Sequence, residues 1–89
     1  MKIKLELFGA SRDFSNKEFL EFDIKQKIKI KDFRKEVINY LNKNFKGNEN
    51  FIKIVKNSVF CSEDNDIISD DFKIIKDQKI GIIPPIGGG

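Results

Sequence analysis

Apolar and polar residues alternate through KIKLELF, residues 2–8, with Ile3, Leu5 and Leu7 on one side and Lys2, Lys4 and Glu6 on the other. That is the period of a half-buried strand. A second alternation from Phe19 to Ile24 puts Leu20, Phe22 and Ile24 on one face. The stretch GASRDFSN between them suits a turn or loop, so the pair predicts an antiparallel hairpin. From about Lys31 to Phe45 the period lengthens: Phe33, Val37, Leu41 and Phe45 recur every fourth residue, with Ile30, Ile38 and Tyr40 beside them. This stripe predicts a helix, with Asp32 suited to its N-terminal dipole and Gly47 placed to end it. FIKIVKNSVF, residues 51–60, reads as a strand, a turn near Asn57-Ser58 and a short return strand. Residues 61–71 read as a loop, and the last strand as Lys79 to Ile83, stopped by Pro84 because proline offers no amide to a ladder. The order predicts an α+β fold with one main helix packed across a mixed sheet.

With 89 residues the chain has room for one core. Its 39% hydrophobic content is too high for a disordered chain, so it should fold. The net charge of +3 comes from scattered lysines, while acids gather at Glu63, Asp64, Asp66, Asp70 and Asp71. That pattern predicts a solvated surface and no nucleic-acid partner. Histidine is absent, which removes Ser-His-Asp chemistry and histidine metal sites, and the acids lack calcium-loop spacing, so no metal site is expected. Cys61 is the single cysteine, and no apolar run approaches the ~20 residues of a membrane span. The cytoplasm, with no membrane partner, is the expected location.

The chain ends IGIIPPIGGG. A main-chain carboxylate is ionised at neutral pH and can attack an activated phosphate. Glycine has no Cβ, so Gly87, Gly88 and Gly89 can enter a channel too narrow for other residues. Pro84 and Pro85 fix two φ angles and direct the chain away from the last strand. The expected division is a folded domain over 1–83 and a projecting, flexible arm over 84–89. Ordering such an arm costs entropy, which a partner's contacts must offset, and Ile82, Ile83 and Ile86 stand close enough to contribute.

This ending resembles that of the small subunit of molybdopterin synthase, the MoaD family, in which an apolar strand runs into Pro-Pro-Val, a small residue and Gly-Gly. Ile86 stands at the valine, Gly87 at the small residue, and Gly88 and Gly89 at the terminal pair. LFGASRDF, residues 7–14, is similar to the family's first strand and following turn, with Phe8, Arg12 and Asp13 on the matching positions. KDQKI before the last strand replaces the family's acid-rich Gly-Asp turn, and the stretch from Cys61 to Lys76 is longer than in compact members. The resemblance implies a ubiquitin-like β-grasp fold and a sulfur carrier that is not catalytic alone. A MoeB-like, E1-like enzyme would adenylate Gly89 with ATP, and a sulfur donor would convert it to a thiocarboxylate. A MoaE-like large subunit, in a heterotetramer, would take up the arm and pass sulfur to a cyclic pterin. The chain would bind no cofactor itself. Phe8, Arg12, Ile82, Ile83 and Ile86 would meet partners, and Pro84, Pro85, Gly87 and Gly88 would thread the arm.

Other readings stand beside this one. A ThiS-like carrier for thiazole synthesis shares the Gly-Gly end but usually lacks the Pro-Pro run. A ubiquitin-like modifier would use the same adenylation and end in an isopeptide bond. A β-grasp binding module would carry an inert tail. Cys61 reads as a small buried hydrophobe, because nothing basic stands beside it in sequence to favour a thiolate. Arg12 is either a partner contact or an ordinary loop charge, and of the adjacent pair Ile82 and Ile83 the pleat sends one to each face.

Overall fold

Alternation in residues 2–8 produces strand β1, Lys2–Leu7, with Ile3, Leu5 and Leu7 all buried. The computed structural model describes residues 1–85 of the chain. β2, Phe19–Asp23, pairs antiparallel with β1, setting Ile3 opposite Phe22 and Leu5 opposite Leu20 on the inner face. The connection between them is a 3₁₀ segment, Gly9–Phe14. Phe14 at its end sinks into the core, and the buried Ser11 hydroxyl donates to the Phe8 carbonyl at 2.6 Å.

β3, Ile28–Lys29, leads directly into α1, Ile30–Asn44. Ile30, Phe33, Val37 and Leu41 form its buried stripe. The helix stops where Lys46 and Gly47 adopt φ of 52° and 72°, a left-handed turn that glycine enters without penalty. Asn48 then accepts the Phe51 amide proton at 3.2 Å and caps a second helix, α2, Glu49–Asn57.

α2 corrects the expectation of a strand at residues 51–57. Phe51, Ile52, Ile54 and Val55 are separated by Lys53 and followed by Lys56, a spacing nearer three than two, so one helical face can gather them. Packing decides the matter: the Phe51 ring meets Phe14 at a centroid distance of 5.1 Å and Phe45 at 5.0 Å. The fold therefore has a short second helix beside its main one.

β4, Val59–Cys61, follows α2. The expected loop over 61–71 contains a short edge strand, β5, Ile67–Ile68. β6, Lys73–Ile74, pairs antiparallel with β3, and β7, Gln78–Ile83, is the last strand among the described residues. The main sheet has the order β2-β1-β7-β4-β5, with β1 and β7 parallel at its centre and its other pairs antiparallel. It is a mixed sheet with α1 across one face. Phe33 of α1 meets Phe22 and Phe60 edge-on at 5.3 and 6.0 Å, tying the helix to β2 and β4. No helix among the described residues is long and apolar enough to cross a membrane.

Candidate functional site

β7 occupies the middle of the sheet, so the chain leaves the body from its most firmly held strand. Ile80 and Ile82 point inward, and Ile82, in register with both Leu7 and Phe60, is 0% exposed. The expectation that Ile82 meets a partner is thereby corrected: its side chain is enclosed by the core, and Ile83 is the member of the pair on the outer face. Ile83 is half-buried and lies opposite Val59 of β4.

Phe8 follows inward-pointing Leu7 and therefore falls on the outer face too. A Cβ built on Gly81 would lie 2.6 Å from Cys61 Sγ and 3.0 Å from Phe8 Cε2. The Phe8 ring thus lies across β7 at the one position without a side chain, and Cys61 is buried beneath this contact. An isolated glycine inside a strand is the sequence signal for such a close approach. Val59 at 43% exposure and Ile67 at 71% extend the apolar surface across β4 and β5. Both were missed in the sequence, because a three-residue and a two-residue strand show too little alternation to assign faces.

This contact makes a stability prediction. Gly81→Ala is expected to destabilise the fold by ~1–3 kcal/mol through overpacking. Combining it with Cys61→Ala should recover part of that loss, since the short cysteine side chain can otherwise escape only by rotating about one bond. Urea unfolding of both variants checks this; a Gly81→Ala protein as stable as the parent would exclude the tight contact.

Beyond β7 the arm is anchored at its root. Pro84 is buried, within 3.9 Å of where a Gly9 Cβ would stand, whereas Pro85 is exposed. Gly9 has φ of 54°, which turns the chain from β1 into the 3₁₀ segment beside the proline. Pro84, Pro85, Ala10 of that segment and the exposed side of α2 enclose a groove of about 280 Å³. The structure therefore gathers Phe8, Ile83, Pro84 and Pro85 around the exit of the arm. Arg12 is exposed on the same 3₁₀ segment. Ile86, Gly87, Gly88 and Gly89, to which threading, partner contact and chemistry are assigned, lie outside the described residues.

The acidic stretch has structural roles. Ser62 Oγ accepts the amide protons of Asp64 and Asp66 at 3.2 and 3.3 Å and shapes a turn, in which Asn65 takes φ of 66°. Asp70 pairs with Arg34 at 2.9 Å.

No family model matches the chain, and no curated protein matches it in sequence. Solved structures do match. A Pyrococcus furiosus protein provisionally described as molybdopterin converting factor, subunit 1, superposes with a TM-score of 0.69 at 17% identity, covering 96% of this chain and 98% of its own. SAMP1 from Haloferax volcanii superposes with a TM-score of 0.68 at 11% identity, over 100% of both chains. The fold is the ubiquitin-like β-grasp, in agreement with the strand order, the central parallel pair and the helix laid across the sheet. Within that fold, both neighbours are small proteins of the same architecture from end to end.

Proposed function

We propose that the chain is the sulfur-carrier small subunit of a molybdopterin synthase, its reacting group being the Gly89 carboxylate. The observation that carries this reading is where the last strand delivers the chain. The central strand of a β-grasp sheet runs straight into a buried Pro84 and an exposed Pro85, four residues before a glycine carboxylate. The description of the Pyrococcus furiosus neighbour supports it.

In this reading a carboxylate oxygen of Gly89 attacks the α-phosphorus of ATP held by an E1-like partner, and pyrophosphate leaves. Sulfur at the sulfide level then displaces AMP and leaves a thiocarboxylate. The carrier contributes the terminus and a docking surface, for which Phe8, Ile83 and Val59 beside the arm are the candidates, and the partners contribute the catalytic side chains. Glycines at 87–89 let the arm pass where a Cβ would collide. A larger subunit would receive the charged arm for sulfur transfer to the pterin.

Intact-mass measurement after incubation with a cognate E1-like enzyme, ATP and a sulfur donor tests the proposal. The expected product has one oxygen replaced by sulfur at the C-terminus; an unchanged mass with an enzyme that is active on its other substrates would overturn it. The SAMP1 likeness favours a second reading, a ubiquitin-like modifier joined to lysines through Gly89. Larger conjugates in cell extract that vanish when Gly88 and Gly89 are deleted would select that reading.

A further inference from the structure

The main sheet ends in β2, and among the described residues no further strand pairs with its open side. The Leu7 amide donates to the Glu18 carbonyl at 2.9 Å, and the Ile24 amide donates to the Met1 carbonyl at 2.8 Å. An antiparallel ladder turns successive residues to opposite sides. Leu20 and Phe22 therefore also bond toward β1, while Phe19, Glu21 and Asp23 turn their N–H and C=O groups outward. These donors and acceptors stand in a row that a further strand can use. Proline, a bulge or extreme shortness blunts many natural edges. β2 has none of these: its five residues, FLEFD, keep an unbroken one-to-one register with β1.

The two sides of this edge differ in chemistry. On the inner side, Phe22 and Tyr40 are half-buried and meet edge-on at 5.9 Å. With Glu36, Asn39 and Lys43 of α1 they line a groove of about 480 Å³. On the outer side stand the exposed carboxylates of Glu21 and Asp23. β1 sets Lys4 opposite Glu21, yet the Lys4 ammonium lies over the Phe19 ring, 4.5 Å from its centre, and Lys79 pairs with Glu6 at 3.2 Å. No ion pair among the described residues holds Glu21. Asp23 has the Met1 ammonium at 4.0 Å.

These charges choose the occupant. In the fully overlapped antiparallel register a second copy would set Glu21 against its own counterpart, and like charges directly opposite destabilise a strand pair. A strand with lysine or arginine at these positions gains where a second copy loses. We propose that the β2 edge accepts an extended segment of a partner protein as a sixth strand of the main sheet, reading basic, apolar, basic. Its basic residues face Glu21 and Asp23, and the apolar residue between them enters the groove over Phe22 and Tyr40. Main-chain bonds hold such a strand, and its alternating side chains select it. β2 is separated by β1 from β7, which carries the arm, so this docking does not depend on the carrier reading.

NMR titration of the isotope-labelled full chain with the capped peptide Thr-Val-Lys-Val-Lys-Val-Thr tests the proposal. Saturable shifts are expected at the amides of Phe19, Glu21, Asp23 and Tyr40, with slowed proton exchange at the first three. Replacing both peptide lysines by glutamate, or methylating their amide nitrogens, which would face the ladder, should each weaken binding about tenfold or more. Glu21→Lys and Asp23→Lys together should reverse the preference, so that the glutamate peptide binds better than the lysine peptide, a result that loss of structure does not produce. No saturable shift at millimolar peptide, equal binding of the methylated peptide, or an unreversed preference would overturn the proposal. Concentration-dependent broadening of the β2 amides in the protein alone would also overturn it and give the edge to a second copy.

Discussion

One alanine appended after Gly89 is expected to reduce thiocarboxylate formation by about a hundredfold or more while leaving the body folded. The addition moves the reacting carboxylate by ~3.3–3.6 Å along an extended chain, whereas a displacement of only ~1 Å from the productive geometry can lower a rate ~10²-fold. Under the proposed carrier function it also puts a methyl group on a residue that would have to enter a partner channel shaped for glycine. Gly88→Val should have an effect of similar size, because its branched side chain arrives inside the same channel. Neither change touches the core formed by β1, β7 and α1, so urea unfolding should stay within ~0.5 kcal/mol of the parent. Rate is read by intact mass with the activating enzyme, and stability by denaturation of the same samples. Thiocarboxylation of the extended chain within a few-fold of the parent would dismiss Gly89 as the reacting group. Retained partner binding with no chemistry in the parent either would instead favour a binding module with an inert tail.

Arg34→Ala is expected to produce the largest loss of stability among single changes at polar residues. Arg34 Nη1 donates to the carbonyls of Val55 and Ser58, each at 2.7 Å, and Nη2 donates to Asp70 Oδ1 at 2.9 Å. Its guanidinium carbon stands 4.8 Å from the centre of the Phe60 ring. The side chain is 18% exposed and that of Asp70 is 61% exposed. The ion pair is therefore the minor part, ~0–1 kcal/mol. Hydrogen bonds from a charged donor contribute ~1.5–3 kcal/mol each; allowing for water reaching the freed carbonyls, the loss should be ~2–4 kcal/mol. For a domain of this size that corresponds to a fall in Tm of about 10 °C or more. Asp70→Asn should change stability by at most ~1 kcal/mol. Arg34→Lys should recover less than half of the loss, because a single ammonium cannot span both carbonyls while lying flat over an aromatic ring. An Arg34→Ala protein melting within about two degrees of the parent would show that these bonds are replaced by water at no cost.

Arg34 also links stability to the candidate site. It holds the end of α2 and the turn into β4 against α1. α2 supplies one wall of the groove, and β4 supplies Val59 beside Ile83. Loosening this staple should therefore disturb the surroundings of the arm before it disturbs the β1–β2 pair on the far side of the sheet.

Nothing in the sequence marks Arg34, because a single charge on an amphipathic helix looks like any solvated residue. The carbonyls it binds lie 21 and 24 residues away. The groove is hidden for the same reason: Ala10, Lys53 and Pro84 become neighbours only through the 3₁₀ segment, α2 and the end of β7. The pleat sends one of Ile82 and Ile83 to each face, and burial of Phe60 opposite Ile82 settles which of the two is enclosed.

Local repetition made β1, β2 and α1 legible, because periods of two and of nearly four depend only on neighbours along the chain. Gly47 as the helix stop and Pro84 as the limit of β7 follow from single-residue stereochemistry, and so does the chemical fitness of a glycine-terminated arm. Tertiary contacts alone decided that residues 51–57 form a helix, that β7 enters between β1 and β4 with parallel pairing to the first, and that Phe8 lies over Gly81. Those outcomes depend on aromatic packing, ladder bonds and side-chain hydrogen bonds between segments up to seventy-five residues apart, such as the Lys2 amide donating to the Asp77 carboxylate. A short apolar segment compatible with two periods takes the conformation that its distant partners reward.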